Sequence, residues 1–307
     1  MSIKFGPEYV RAIAPYQGGK PIAEVAREFG LDEARIIKLA SNENPLGMPE
    51  SARLAMQKAV ADIGRYPDAN GFELKAAITA KYDVPAEWIT LGNGSNDILE
   101  LATHAFVQAG QAAMYAEYSF VVYALATQAV GARAIVVKAK DYGHDLEAMA
   151  AAITDDTKLI FIANPNNPTG SFVPAAELEA FLARVPPQVV VVLDEAYNEY
   201  LAPELQYDSI AWVRKYPNLL VSRTFLSITR RTFSYRSRCA PLSVTDRSIS
   251  VFGGSSLATL SLVLRSKKGL IRRPNNARRV ASPCFSIGCR KSRLKVFSSP
   301  SKPGSKK

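Results

Sequence analysis

Val189-Val190-Val191-Val192-Leu193-Asp194-Glu195-Ala196-Tyr197 is the stretch that decides the fold. An unbroken apolar run rich in β-branched residues predicts a strand covered on both faces, as in a parallel sheet packed between helices. Asp194 follows without a spacer, which sets a carboxylate at the lip of the strand, and ligands of open α/β sheets bind at the carboxyl ends of strands. Moving outward, the same alternation recurs. Strands are predicted at 88–91, 112–115, 134–137, 159–162 and 219–221, with helices at 96–106, 120–130 and 175–184. The pattern predicts an α/β fold with a mostly parallel sheet flanked by helices. Residues 1–70 form a preceding arm, helix-like at 9–13, 22–29 and 50–63 with a polar loop at 41–47.

A second boundary lies at Phe225. The chain has 38 Lys and Arg against 28 Asp and Glu, and 19 of the cations but only one acid, Asp246, follow Phe225. That leaves 19 cations and 27 acids before it, so a net charge of −8 precedes the boundary and +18 follows it. Helical and strand periodicity fades there as well. Seventeen of the 82 residues from 226 to 307 are serine and arginine pairs recur, so little apolar surface is available to offset ordering entropy except in the mildly apolar 251–264. The composition divides the chain into an arm at 1–70, an incomplete large domain at 71–225 and a basic Ser/Arg-rich, poorly ordered segment at 226–307. Clustered arginine also allows non-specific nucleic-acid contacts, but no aromatic stacking pattern or recognition motif accompanies it.

Composition excludes several chemistries. All three cysteines (Cys239, Cys284, Cys289) follow Phe225, so the body offers neither disulfides nor a thiol nucleophile. His104 and His144 are the only histidines, which argues against a histidine triad or metal centre; His104 is expected on a helix face and His144 in a loop. The absence of a long apolar run and the acidic text after Met1-Ser2-Ile3-Lys4-Phe5 predict a cytoplasmic protein with no membrane partner.

The strand ends carry the polar groups. Asp194 is suited to the pyridine nitrogen of pyridoxal 5'-phosphate, because a carboxylate there keeps the ring protonated. Tyr197 and Asn167, the latter within Asn164-Pro165-Asn166-Asn167-Pro168-Thr169-Gly170, are suited to the ring oxygen. Gly92-Asn93-Gly94-Ser95-Asn96-Asp97 joins a strand to a helix whose first amides could take a phosphate, and Tyr118 follows a strand where a flat ring could stack. Each feature alone also reads as ordinary structure: a cap, a turn, a core aromatic.

Together they are specific. Ala40-Ser41-Asn42-Glu43-Asn44-Pro45-Leu46-Gly47, Arg65-Tyr66-Pro67-Asp68, the glycine turn at 92–97, the Asn/Pro segment at 164–170, Asp194-Glu195-Ala196-Tyr197 and Ser222-Arg223-Thr224-Phe225 occur in the order and spacing of fold-type I pyridoxal-phosphate aminotransferases. Over residues 1–225 the chain resembles the histidinol-phosphate aminotransferases. That resemblance implies transamination of imidazole-acetol phosphate with glutamate in histidine biosynthesis; aminotransferases of aromatic or other amino acids share most of these motifs. By the same resemblance Asp194 pairs with the pyridinium nitrogen and Asn167 and Tyr197 bind the ring oxygen. Tyr118 stacks on the ring, Ser95 and Asn96 offer amides to the phosphate, and Thr224 lies nearby. Tyr66 reaches the phosphate of a neighbouring subunit, which implies a homodimer, and Asn44 belongs to a loop that closes over substrate. The family continues the last motif with Ser-Lys, and that lysine anchors the cofactor covalently. Here Leu226 and Ser227 stand in those positions. No catalytic residue is therefore assigned, and a reading-frame shift near codon 226 accounts for the lost motif and the change of composition together.

Overall fold

The apolar run at 189–193 becomes the centre of a seven-stranded sheet. The computed structural model describes residues 5–39, 41–44, 47–224 and 260–264. Its strands are β1 (Ile89–Asn93), β2 (Ala112–Ala116), β3 (Arg133–Val137), β4 (Thr157–Ala163), β5 (Val190–Asp194), β6 (Leu219–Thr224) and β7 (Leu260–Leu264), in spatial order β1-β7-β6-β5-β4-β2-β3. The run β6-β5-β4-β2-β3 is parallel throughout, and β7 pairs antiparallel with both β6 and β1. The helices are α1 (Glu8–Arg11), α2 (Ile22–Phe29), α3 (Glu50–Ala59), α4 (Phe72–Tyr82), α5 (Ser95–Phe106), α6 (Val121–Ala129), α7 (Leu146–Ala151), α8 (Ala175–Arg184) and α9 (Ser209–Lys215).

Alternation along the strands divides the core into two layers. Val190 and Val192 of β5, Leu220 of β6, and Leu159 and Phe161 of β4 pack with Ile98 and Leu99 of α5 and Val122 and Tyr123 of α6. The intervening residues Val191, Leu193, Val221, Ile160 and Ile162 face the other way, into a cluster with Met149 of α7, Leu178 and Phe181 of α8 and Val213 of α9. Every residue of β5 is buried, as a doubly covered strand requires. The same period sorts the two carboxylates at the strand's end: Asp194 continues the row of Val190 and Val192 toward α5 and α6, and Glu195 continues the other row.

The structure extends most of the expected strands and adds other elements. Strand β6 runs on through Ser222, Arg223 and Thr224, all buried, because register with β5 pairs Ser222 with Asp194. Helix α4 had no clear apolar stripe in the sequence; it buries only Leu74 and Ile78. Helix α9 begins at a cap, where the Asp208 carboxylate accepts from the Ile210 and Ala211 amides at 3.0 and 3.1 Å. Five residues from the segment after Phe225, within the mildly apolar 251–264, form β7, so the neighbouring edge of β6 is paired. The rest of the 226–307 segment, including Leu226 and Ser227, lies outside the described residues.

Candidate functional site

The carboxyl ends of β4 and β5 and the start of α5 enclose a cavity of about 380 Å³, whose lining includes Asp194, Asn167, Tyr197, Ser95 and, from the arm, Ser41 and Asn42. Four residues singled out in the sequence thus share one space.

Asp194 is 5% exposed. Its Oδ2 accepts a hydrogen bond from the Tyr123 hydroxyl at 2.9 Å, and Oδ1 accepts a long one from the Ala196 amide at 3.3 Å. Burial pushes its pKa up to about 6 against the pull of those two bonds, and the neighbouring Glu195 adds to the rise. A cation placed in the cavity reverses that trend by favouring the charged carboxylate. Tyr197 presents a phenol whose oxygen accepts from the Asn42 amide at 3.1 Å and, more weakly, from the Asn167 amide at 3.4 Å. Burial raises the Tyr197 pKa although the Asn42 bond opposes it, so its proton remains available for donation to an anionic oxygen.

The start of α5 presents its backbone amides without a side-chain cap, and Gly94 precedes it at φ 89°. Gly92 allows the close approach of strand and helix, since a Cβ there would stand 2.8 Å from Ile98 Cδ1 and 3.0 Å from Asp97 Cβ. The Asp97 carboxylate is used within the turn, accepting from the Asn93 amide at 2.8 Å. Ser95 lines the cavity; Asn96 occupies the next position on the same turn and is exposed. Thr224 is buried on the Leu220 row, and among the described residues its Oγ1 has no partner, nor has Ser222 Oγ.

Three more predicted residues, like Asn96 and Thr224, are not among those lining the cavity. Tyr118 is half-exposed and packs against Tyr142 with ring centroids 5.6 Å apart, and Phe120 takes its place in the lining. Tyr66 is fully exposed. Asn44 turns back to bond the Gly47 carbonyl at 2.8 Å, and this loop lines the cavity with Ser41 and Asn42 instead. His104 is exposed on α5 as expected, whereas His144 is buried in its loop against the main chain of Ala163.

Behind the cavity, on the opposite face of the sheet, lies a second buried group that the motifs did not explain. Glu195 Oε2 accepts from Arg223 Nε at 2.9 Å and from Ser209 Oγ at 2.8 Å, and Arg223 Nη2 lies 2.7 Å away. Glu199 stands 3.6 Å from the same guanidinium, which also lies over the Tyr82 ring, 5.5 Å from its centroid. Burial works against the Arg223 charge, but Glu195 and its neighbours hold its pKa above the ordinary value. Tyr123 is the other residue that sequence reading missed: it looks like one more apolar position in Val121-Val122-Tyr123-Ala124-Leu125. Among the described residues there is no cluster of three His, Cys, Asp or Glu able to hold a metal, and no helix long and apolar enough to cross a membrane.

Comparison with known proteins gives a consistent result. The family model for aminotransferase class I and II matches residues 34–226, ending where the composition changes. Histidinol-phosphate aminotransferase 1 of Cupriavidus pinatubonensis is 76% identical over 223 residues, 73% of this chain and 59% of the relative. Histidinol-phosphate aminotransferase 2 of Ralstonia nicotianae is 74% identical over 225 residues, 73% of this chain and 60% of the relative. The chain therefore spans about three-fifths of these curated relatives. In fold it is similar to a histidinol-phosphate aminotransferase from Sinorhizobium meliloti solved with pyridoxal-5'-phosphate, with a TM-score of 0.67 at 23% identity over 86% of this chain and 64% of that one.

Proposed function

This chain belongs to the class I and II aminotransferase family, and on that premise we propose that its cavity binds pyridoxal 5'-phosphate and that its lineage catalyses transamination between glutamate and imidazole-acetol phosphate, yielding L-histidinol phosphate and 2-oxoglutarate. The observation that carries the reading is the convergence of Asp194, Asn167 and Tyr197 on one cavity beside the uncapped start of α5. The donor set fits the cofactor: a buried carboxylate for the ring nitrogen, a phenol and an amide for the ring oxygen, and helix amides with the unpartnered Thr224 hydroxyl for the phosphate. When bound, the cofactor supplies an electron sink for negative charge at the substrate's α-carbon. Asp194 sustains that sink by holding positive charge on the ring nitrogen. Tyr197 and Asn167 fix the ring's tilt from its oxygen side, and Asn42 closes the cavity from the arm.

In the chain as it stands, Ser227 replaces the lysine that would anchor the cofactor and move the substrate proton. We accordingly assign it cofactor binding without turnover and attribute the change after Phe225 to a shifted reading frame. The end of the family match at residue 226 supports this. The division into an arm at 1–70, a large domain at 71–225 and an altered segment beyond belongs to the same reading. So do a cytoplasmic location and a homodimer, which the exposed Tyr66 and the exposed apolar Phe29, Ile37 and Leu39 of the arm support.

The test is an absorbance titration of the purified chain with pyridoxal phosphate, then borohydride reduction and peptide mapping. Saturable binding with no lysine adduct is the expected result. Absence of binding overturns the cofactor assignment, and an adduct on a defined lysine overturns the loss of turnover.

A further inference from the structure

Tyr123 is wholly enclosed. Its ring is stacked on Phe161 of β4, with centroids 4.5 Å apart and planes at 5°, and Phe120 meets it edge-on at 5.9 Å. Phenylalanine would fill this aromatic cluster equally well. The hydroxyl adds a polar atom to an apolar layer, which costs free energy unless it is bonded, and its bond goes to Asp194 Oδ2 at 2.9 Å.

The carboxylate it meets is weakly held otherwise. The Ala196 amide donates to Oδ1 at 3.3 Å. A carboxylate oxygen can accept more than one hydrogen bond, so each retains capacity for a cation in the cavity. Asp194 could rotate about its side-chain bonds without the phenol; with it, one oxygen is pinned toward α6.

We propose that Tyr123 is a positioning residue for the cofactor: its buried hydroxyl fixes the Asp194 carboxylate and keeps its charge directed at the ring nitrogen. The inference rests on the assignment of the cavity to pyridoxal phosphate. The charged groups near Asp194 support it: Glu195 on the same strand end has its own cation in Arg223 on the far face, and Tyr197 carries a raised pKa. Burial, followed by the charge of Asp194, lifts the Tyr123 pKa well above its ordinary value. The phenol is therefore a permanent donor over the working range and never presents an anion to Asp194.

The experiment compares dissociation constants of pyridoxal phosphate and of its analogue with the ring nitrogen replaced by CH, measured on the full chain and on Tyr123→Phe. Loss of the hydroxyl is expected to shrink the preference for the nitrogen-bearing ring roughly tenfold, the scale of one hydrogen bond to a charged group, and to change analogue affinity less than about twofold. Tyr123→His, which restores a donor, is expected to recover part of the preference. In an Asp194→Asn background, Tyr123→Phe should have no further effect on it. Equal weakening of both ligands, or an unchanged preference, overturns the inference and leaves the cofactor site standing. A parent chain that binds both ligands equally does the same, and one that binds neither overturns the cofactor assignment and this inference with it.

Discussion

Asp194 and Glu195 are consecutive buried carboxylates with opposite surroundings. Glu195 lies on the α9 side of the sheet, where its Oε2 is bonded by Arg223 and Ser209. Asp194 lies on the α5 and α6 side, with a phenol, a long amide contact and a cavity. The difference teaches that strand alternation sorts function at the end of a covered sheet: one residue sends its charge into a ligand space, and the next sends its charge into an internal ion pair that ties β5 to β6. The first carboxylate is poised for an external cation, while the second already has its own.

The strongest way to break this comparison is to remove the internal pair's acid. Glu195→Ala leaves Arg223 buried with only the more distant Glu199, 3.6 Å away, to balance it, and is expected to destabilise the chain by about 3 kcal/mol, read as a lower urea midpoint. A loss no larger than that of an exposed substitution would show that Glu195 and Arg223 do not anchor the strands.

The next test uses pH. The folded pKa of Asp194 is raised to about 6 from 3.8. Between those values the native state keeps a proton that the unfolded state releases, so this group's contribution to stability falls as pH rises and levels off above the folded pKa. The span corresponds to about 3 kcal/mol. Asp194→Asn should remove that slope from the cofactor-free chain, making it relatively more stable at pH 7, and should also abolish the preference for a protonated ring. Parallel slopes in urea melts of the parent and the variant between pH 4 and 7 would contradict the assignment.

The smallest effect is expected at the cavity's outer wall. Asn42→Ala removes one neutral hydrogen bond to Tyr197 and should weaken pyridoxal phosphate binding several-fold, on the order of 1 kcal/mol, without a measurable change in the urea midpoint. A loss as large as that from Asp194→Asn would move the centre of recognition from the strand ends to the arm.

Much of this arrangement was legible in the sequence because it depends on local rules. The run 189–193 announced a covered strand, and Asp194, Asn167 and Tyr197 could be assigned to one ligand because strand ends converge in such sheets. What escaped depended on contacts distant in sequence. Tyr123 is separated from Asp194 by 71 residues, and nothing in the apolar text of its helix distinguishes its hydroxyl. Arg223 read as part of a motif but not as a strand residue, because its burial depends on Glu195 and on the Tyr82 ring of α4. The Asn44 assignment followed the resemblance, yet this loop lines the cavity with Ser41 and Asn42. Strand β7 was hidden because a short apolar run in basic text does not reveal its partners.

The position of β7 has a consequence for the order of assembly. Strands β2 to β6 are complete by residue 224, but β1, although made first, touches the remaining sheet only through a strand that begins at residue 260. During synthesis the parallel centre can form while β1 waits for its neighbour, making this the pairing with the greatest sequence separation and the slowest to close. Helix α5 follows β1 directly, so the strand that leads into this candidate turn is the last of the sheet to be paired.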